Sequence, residues 1–548
     1  MKRIFTTLFA IFLALNMMAT NVWDGSAEPW TNGNGTVGNP YLIETASNLA
    51  YLAQMVNEGY QAQGMEVFSN TYFLLTDDLD LNNINWIPIG NVSYVNSNLS
   101  GYCFAGIFDG WYHTISNLRI QTNASLTGLF AGLYGTQGPP PSDLTGQIRH
   151  LSVVNGNITS SGFGAGGIVG AIAGDALVFQ CSYSGTISIS NGDTFCGAGG
   201  VVAAAAQNSC VSQCFFAGSI NATNSTFTGA AGAGGVVGIA MDNTSIEKCY
   251  NKGTVMGNAM FLSVAAGIVG ATLQENNVMV YSCYNVGTVN ALTKGGIFGM
   301  VSPINPTKDE KSIEVSNCFY LNTCGGNTNY GTSMSSSEMQ TEQFKNQLDQ
   351  STHAFVMDNG TNNGYPIHSL TAYRLNEATE VTDHSAVLSA DIHKGNSDLA
   401  RAYFTYGVWD APELMEVEVD TEGYVEVLLE NLEPETSYVF YFALQFSDGI
   451  GMSGTPHYFL TDEYDAVDAS KEPEVLVYPN PATDVIHIQG VDAIEVQIFN
   501  ALGQLVKTVR GTNEVSVSEL PEGHYLLRIT SANPETVYVF PLSKHSHR

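Results

Sequence analysis

The sequence predicts an all-β protein: a parallel β-solenoid followed by two β-sandwich domains. Three observations carry this. A unit of 33–35 residues recurs through the middle of the chain, phased by a cysteine. Within each unit, short Val, Ile and Phe runs are bounded by glycines, the mark of buried strands with close backbone approach. Only 13% of the 548 residues are charged while 56 are glycine, a composition that suits turn-rich β structure better than helical bundles.

The chain begins MKRIFTTLFAIFLALNMMAT, which reads as a signal peptide over residues 1–20. Lys2 and Arg3 form the positive n-region, Ile4 to Leu15 the apolar stretch, and Ala19 and Thr20 the small-residue cleavage site. The apolar stretch is short for a membrane span and no later one reaches about 18 residues. No transmembrane segment is therefore expected in the mature chain. A formal charge of −32 argues against nucleic acid or an anionic membrane surface as partner.

Aligned on cysteine, five units follow one another: CSYSGTI (181–187), CFFAGSI (214–220), CYNKGTV (249–255), CYNVGTV (283–289) and CFYLNTC (318–324). Val178, Val211, Ile246, Val280 and Val315 stand three residues before the cysteine. Gly185, Gly218, Gly253, Gly287 and finally Asn322 stand four after it, a column that reads as a turn needing positive φ. A preceding strand recurs as GGIVG (166–170), GGVVA (199–203), GGVVG (234–238), AGIVG (266–270) and GGIFG (295–299). Each unit thus holds roughly three short strands and cannot bury its apolar face alone. Stacking at about 4.8 Å makes a continuous core. In residues 45–57, Leu49, Leu52, Ala53 and Val56 fall at helical spacing behind a Ser/Thr start. That helix and a second over 338–350 are expected to close the two ends of a solenoid filling residues 21–370.

The recurring thiol has three readings. The nine cysteines are Cys103, Cys181, Cys196, Cys210, Cys214, Cys249, Cys283, Cys318 and Cys324, an odd number and too sparse for a disulfide scaffold. A buried stack along one inner corner fits best, because Cys324 fills a slot that is Ile or Val in the other units. Disulfides between neighbouring coils have permissive spacing but poor in-register geometry. A zinc site lacks converging ligands, since residues 151–300 contain no histidine. No metal and no cofactor are expected.

Acid–base catalysis needs paired carboxylates or an acidic cluster with a basic partner. Residues 151–300 hold only Asp175, Asp193, Asp242, Glu247, Lys248, Lys252, Glu275 and Lys294. Asp77, Asp78 and Asp80 read as strand-end caps rather than a calcium site. Asp109 and His113 read as a turn-capping carboxylate and a half-buried imidazole rather than an acid–base pair. No HExxH, GxSxG or CxxC motif occurs. The column after the cysteines, Phe215, Tyr250, Tyr284 and Phe319 with Ser182 at the first coil, is the candidate ligand-binding feature. If the cysteines point inward, alternation turns these rings outward, where they would suit stacking on sugar rings. A turn just before the cysteine would instead make them core.

More specific text flanks the repeats. The stretch 23–57, then YFLLTDDLDLNNINWIPIG (72–90), FAGIFDGWYHTISNLRI (104–120), TGLFAGL (127–133) and EMQTEQFKNQLDQ to NNGYPI (338–367) together resemble the GLUG-motif surface proteins. One departure is Trp111 and Tyr112, where the pattern usually has Asn-Gly. The resemblance implies a β-helical extracellular module, adhesin-like, with no common enzymatic activity. In residues 371–462, LENLEPETSYVFYF places Leu432, Pro434, Thr436 and Tyr438 in a pattern that resembles the fibronectin type III signature, usually a spacer sandwich. An acidic linker spans 463–474. Residues 475–548 resemble the C-terminal sorting domain of the type IX (Por) secretion system of Bacteroidetes, carried by Tyr478, Pro479, Asn480, Pro481, Gly503, Gly523 and Tyr525. The departure there is the tail PLSKHSHR, with Pro541 in the last strand.

That resemblance implies Sec export, outer-membrane crossing by the type IX machinery, and a secreted or surface-attached product. The expected function is non-catalytic, adhesin-like binding, with glycans or host surface proteins as candidate partners. The alternatives are a β-helical polysaccharide-degrading enzyme with its site in residues 60–150, or a purely structural stalk.

Overall fold

The computed structural model describes residues 22–545 except 96–97, 136–145, 193–194, 228, 273–276, 302–312, 327–329, 412–413, 455, 464–474, 501–502 and 532–536. The leader, Asp193, Glu275 and all but the first residue of the linker lie outside the described residues. Two compact units emerge: one holds the solenoid and the sandwich after it, the other the C-terminal domain.

Parallel pairing organises the solenoid. Among the described residues its coils build four sheets, of nine, thirteen, six and eight strands. The nine-stranded sheet runs from Tyr41–Ile43 to Ile313–Ser316, each strand beside the one a coil earlier. In it Val178, Val211, Ile246, Val280 and Val315 are successive register partners, so the aliphatic column of the sequence is a column in space. Ile187, Ile220, Val255 and Val289 repeat this in the thirteen-stranded sheet.

Each regular coil contributes to four sheets rather than three, because the glycine pair is a corner and not part of one strand. Gly164–Gly166 and Val169–Ala173 belong to different sheets, with the turn of GGIVG between them. The second glycine of each pair faces an inward ring or amide of its own coil. A Cβ at Gly200 would lie 2.4 Å from Phe216 Cγ, and one at Gly267 2.3 Å from Asn285 Cγ. Only hydrogen fits there.

The column four residues after the cysteine is glycine for a different reason from the one expected. Of its four glycines only Gly185 has positive φ, +152°. A Cβ at Gly218 would sit 2.0 Å from the Gly185 carbonyl oxygen, and one at Gly287 2.0 Å from that of Gly253. Close approach of adjacent coils sets the requirement. The left-handed residue is instead the one before the cysteine: Gln180, Gln213, Lys248, Ser282 and Asn317 have φ between 49° and 54°. His150, φ 52°, and Leu151 occupy the same two positions one coil earlier.

The phased cysteines are buried free thiols in a stack. Each backbone N–H of Cys181, Cys214 and Cys249 donates to the sulfur one coil on, at 3.3–3.4 Å. Each thiol of the stack donates to the carbonyl two residues earlier in its own coil, as Cys249 does to Glu247 at 3.2 Å. The sulfur therefore serves the tight corner as donor and acceptor. Burial pushes the Cys103, Cys196 and Cys210 thiols up to about 12, and Cys214 and Cys283 well above their ordinary value.

Helix α1, Ala46–Asn57, starts at Thr45, whose hydroxyl accepts from Asn48 N while Asn48 returns a bond to Thr45 N. Its Leu49, Leu52, Ala53 and Val56 join the core of the first coils with Ile43 and Phe73. The C-terminal helix is two short ones, α2 (Ser336–Met339) and α3 (Glu342–Asp349). They lie on the flank of the solenoid, over the outer aromatic column.

The following domain is an antiparallel sandwich. Strands 372–375, 385–393 and 423–430 form one sheet, and 399–408, 415–419, 437–446, 451–453 and 457–460 the other. Leu388, Phe404, Phe440, Phe442 and Leu444 fill the space between. The C-terminal domain repeats this plan with sheets of three and four antiparallel strands around Ile486, Val496, Ile498, Leu527 and Ile529. Pro541 lies in its edge strand Val537–Lys544, where a missing N–H is tolerated.

Two expectations follow. Gly287→Ala should cost about 1–3 kcal/mol in denaturant unfolding, whereas Gly192→Ala, with nothing within 4 Å of its would-be Cβ, should be neutral. Titrating the protein with a thiol reagent should find all nine cysteines free once it is unfolded without reductant. Fewer than nine would mean that the stack is oxidised.

Candidate functional site

The aromatic column points out of the coil, yet it is not a free surface. Phe215, Tyr250, Tyr284 and Phe319 are register partners one coil apart, on the face opposite the inward Phe216, Asn251 and Asn285. Phe215 and Tyr250 stack with ring centroids 4.8 Å apart, and Tyr250 and Tyr284 with 5.0 Å. Tyr250, Tyr284 and Phe319 are nonetheless buried, only Phe215 remaining half-buried. The segment from α2 to His368 covers them: Phe344 meets Phe319 at 5.3 Å, and His368 meets Tyr250 at 4.8 Å. The expected sugar-stacking face is thus occupied by the chain itself, because a row of exposed rings is apolar surface that a nearby amphipathic helix can bury.

Polar contacts seat this cover. Tyr284 donates its hydroxyl hydrogen to Pro366 O and accepts from Asn362 Nδ2 at 2.9 Å. Lys252 Nζ donates to Thr361 O at 3.1 Å, and Asn317 Nδ2 to Gln347 O at 2.8 Å. Asp349 accepts from the backbone N–H groups of Ala354 and Phe355, and Asp358 from those of Thr361, Asn362 and Gly364. Sequence reasoning passed over both carboxylates. Their signal was an Asp three or four residues before Thr or Asn, a turn pattern.

Asp109 and His113 are not partners. Asp109 is buried and accepts from Trp111 N at 3.0 Å, from Arg149 Nε at 2.8 Å and from His150 Nδ1 at 2.9 Å. Burial alone would raise this carboxyl, but Arg149 and His150 beside it hold it well below the usual range. His113 Nδ1 lies 3.3 Å from Asp78 Oδ1 instead. Asp78 also accepts from Thr114 N at 2.7 Å, and Asp80 from Asn82 N and Asn117 Nδ2. These carboxylates tie adjacent turns together.

Trp111 and Tyr112, where the family pattern has Asn-Gly, both take left-handed backbone, φ 46° and 63°. Tyr112 is compensated by its ring, which stacks on His393 of the sandwich at 4.4 Å and lies 4.9 Å from His150. Next to this contact a 210 Å³ pocket is lined by His150, Gln180, Gln213, His353, Tyr373 and Phe446. Of its imidazoles, His150 is held by Asp109, and His353 lies flat on the Phe446 ring at 4.1 Å.

In the C-terminal domain, Tyr478, Pro479, Asn480 and Pro481 are exposed. Asn480 bridges to the last strand, its Nδ2 donating to Pro541 O at 2.8 Å and its Oδ1 accepting from Ser543 N at 2.9 Å. Gly503 takes φ 73° in a turn, and Tyr525 donates to Pro521 O at 2.8 Å near Gly523.

Compared with known proteins, residues 476–539 match the secretion system C-terminal sorting domain and residues 229–256 the GLUG motif. The β-solenoid thus carries a GLUG motif over residues 229–256, and the C-terminal domain carries a sorting domain of the type IX secretion machinery. The chain is secreted or displayed at the cell surface. No described helix is long and apolar enough to cross a membrane. A 168-residue stretch, 31% of the chain, is 31% identical to a "Putative Gly-rich membrane protein" of Evansella cellulosilytica and spans 16% of it. A 63-residue stretch, 11% of the chain, is 44% identical to Beta-agarase D of Zobellia galactanivorans and spans 13% of that protein. A two fibronectin type III domain segment from chicken tenascin aligns with 31% of the chain and 97% of that segment, at 17% identity and a TM-score of 0.15.

The cover predicts a pH effect. Burial lowers the His368 pKa from 6.5 to about 4, against a smaller opposing effect of the bond to Lys248 O, 2.7 Å away. The fold holds the neutral ring, so between pH 6.5 and about 4 the unfolded chain binds a proton that the folded chain refuses. Stability is full above about pH 6.5 and falls toward pH 4, by about 3 kcal/mol. Urea midpoints over that window should fall in the native protein and less in His368→Gln.

Proposed function

We propose that this protein is a non-catalytic, adhesin-like binding protein that presents its solenoid to a glycan or to a host or matrix surface protein. The observation that carries the reading is the commitment of the acid–base groups to structural partners in a domain sent outside the cell. Asp109, the most buried of the candidate carboxylates, is held by three donors. Asp78 and Asp80 accept from neighbouring turns. Glu247 pairs with Lys248 at 4.0 Å. A carboxylate held ionised by an arginine and a histidine is a poor general acid, because the proton it would donate is absent at working pH. A long stack suits presentation: each coil is hydrogen-bonded to the next, so groups along the solenoid keep fixed positions relative to one another.

The purified exported protein should bind members of a glycan array or a panel of matrix proteins without releasing reducing ends from bound polysaccharide. Release of reducing ends would replace this reading with the enzyme. Failure to bind any member of either set would leave a structural stalk.

A further inference from the structure

A second cavity, of 520 Å³, opens between helix α1 and the loop 84–87 at the start of the solenoid. Its volume falls in the range of small-molecule sites, about 300–1,000 Å³. Trp23 and Trp86, buried and packed edge to face at 5.1 Å, contribute its floor. Gln54, Asn57, Glu58 and Asn85 contribute its polar lining.

Asn57 is the atom-level signal. Its Nδ2 donates to Pro88 O at 3.0 Å, while its Oδ1 is buried and has no hydrogen-bond partner among the described residues. Buried acceptors are seldom left so, and Asn57 is among the residues that line the cavity, from which a donor would come after a small turn of its amide. The other lining groups share its polarity. Glu58 accepts from Gln54 Nε2 at 3.1 Å through one oxygen, which leaves the Gln54 carbonyl and the second Glu58 oxygen to accept. Asn85 is the complement: its Oδ1 accepts from Gln121 N at 2.7 Å, which leaves its NH₂ to donate.

We propose that this cavity is a binding site for one residue of a neutral sugar. The inference rests on the reading of the chain as a binding protein and supplies the site and ligand class. A ligand here must donate several hydrogen bonds, accept at least one and present an apolar face to indole. It must also carry no negative charge, since Glu58 is the one charged group in the lining and no cation faces it. Vicinal hydroxyls on a pyranose ring meet all four conditions, with C–H groups on the other face. The exposed Ile87 at the mouth, 67% accessible, would close over the ring.

The exported full-length protein is titrated with neutral methyl pyranosides, with glucuronate and glucosamine as charged controls, by tryptophan fluorescence and calorimetry. At least one neutral glycoside should bind, more tightly than glucuronate, whereas glucosamine reports how far the Glu58 carboxylate contributes. Asn85→Ala and Ile87→Asp, both at exposed positions outside the core, should each weaken binding by about tenfold or more, and Asn57→Ala likewise. Binding that survives all three substitutions places the sugar elsewhere and overturns the inference while leaving the binding function intact. Preference for glucuronate over every neutral glycoside overturns the ligand class. A protein that binds array members but no glycoside refutes this inference alone, and one that binds nothing refutes the proposed function as well.

Discussion

Backbone hydrogen bonding in register between coils makes the counterpart of a residue, one period away, its nearest neighbour outside its own coil. A side chain must therefore suit a copy of itself about 4.8 Å distant. Flat rings do so by stacking, as Phe215 and Tyr250 show at 4.8 Å. Asparagines do so by passing a hydrogen bond along, Asn251 Nδ2 to Asn285 Oδ1 at 2.8 Å. Thiols accept from the coil before and donate within their own. Glycine does so by offering no Cβ where carbonyls of adjacent coils would otherwise collide.

Like charges fail that condition. Two of them at column spacing repel by about 1 kcal/mol in water, and by several times more near a protein surface. A charged column would suffer this at every step. The eight charges of residues 151–300 follow from this constraint. The same constraint bears on polar chemistry: among the described residues, unlike groups gather most densely where the repeat is irregular or ends. Arg149 and His150 meet Asp109 in an early coil, and the sugar-sized cavity lies where α1 replaces a further coil.

The columns were legible in the sequence because each is written four or five times. The aliphatic, cysteine and aromatic columns fall into register as their spacing implies. The left-handed corner was not legible, since Gln, Lys, Ser and Asn share it and only asparagine signals that conformation. The glycine column carried the right identity with the wrong cause: sequence does not separate a demand for positive φ from a demand for space. The direction of the aromatic rings follows from alternation with the cysteine. Their cover does not, because it depends on a segment 15 or more residues further on folding back along the flank. The cavity beside Asn57 had no motif, and its lining comes from three separate stretches of chain.

The cover also explains why the solenoid and the sandwich form one unit. Its last residues hold the solenoid through Gln180 Nε2 to Ser369 O at 3.1 Å, and three residues later the chain enters the first sandwich strand, Ala372–Leu375. Asn396 Nδ2 then reaches back from the sandwich to His368 O at 3.0 Å, and His393 stacks on Tyr112. A spacer joined by a bare linker would swing. One whose first strand continues the solenoid's own cover is held by the packing that buries the aromatic column. The C-terminal domain is built around a core of its own, Ile486, Val496, Ile498, Leu527 and Ile529 among its residues, as a domain that folds for itself must be.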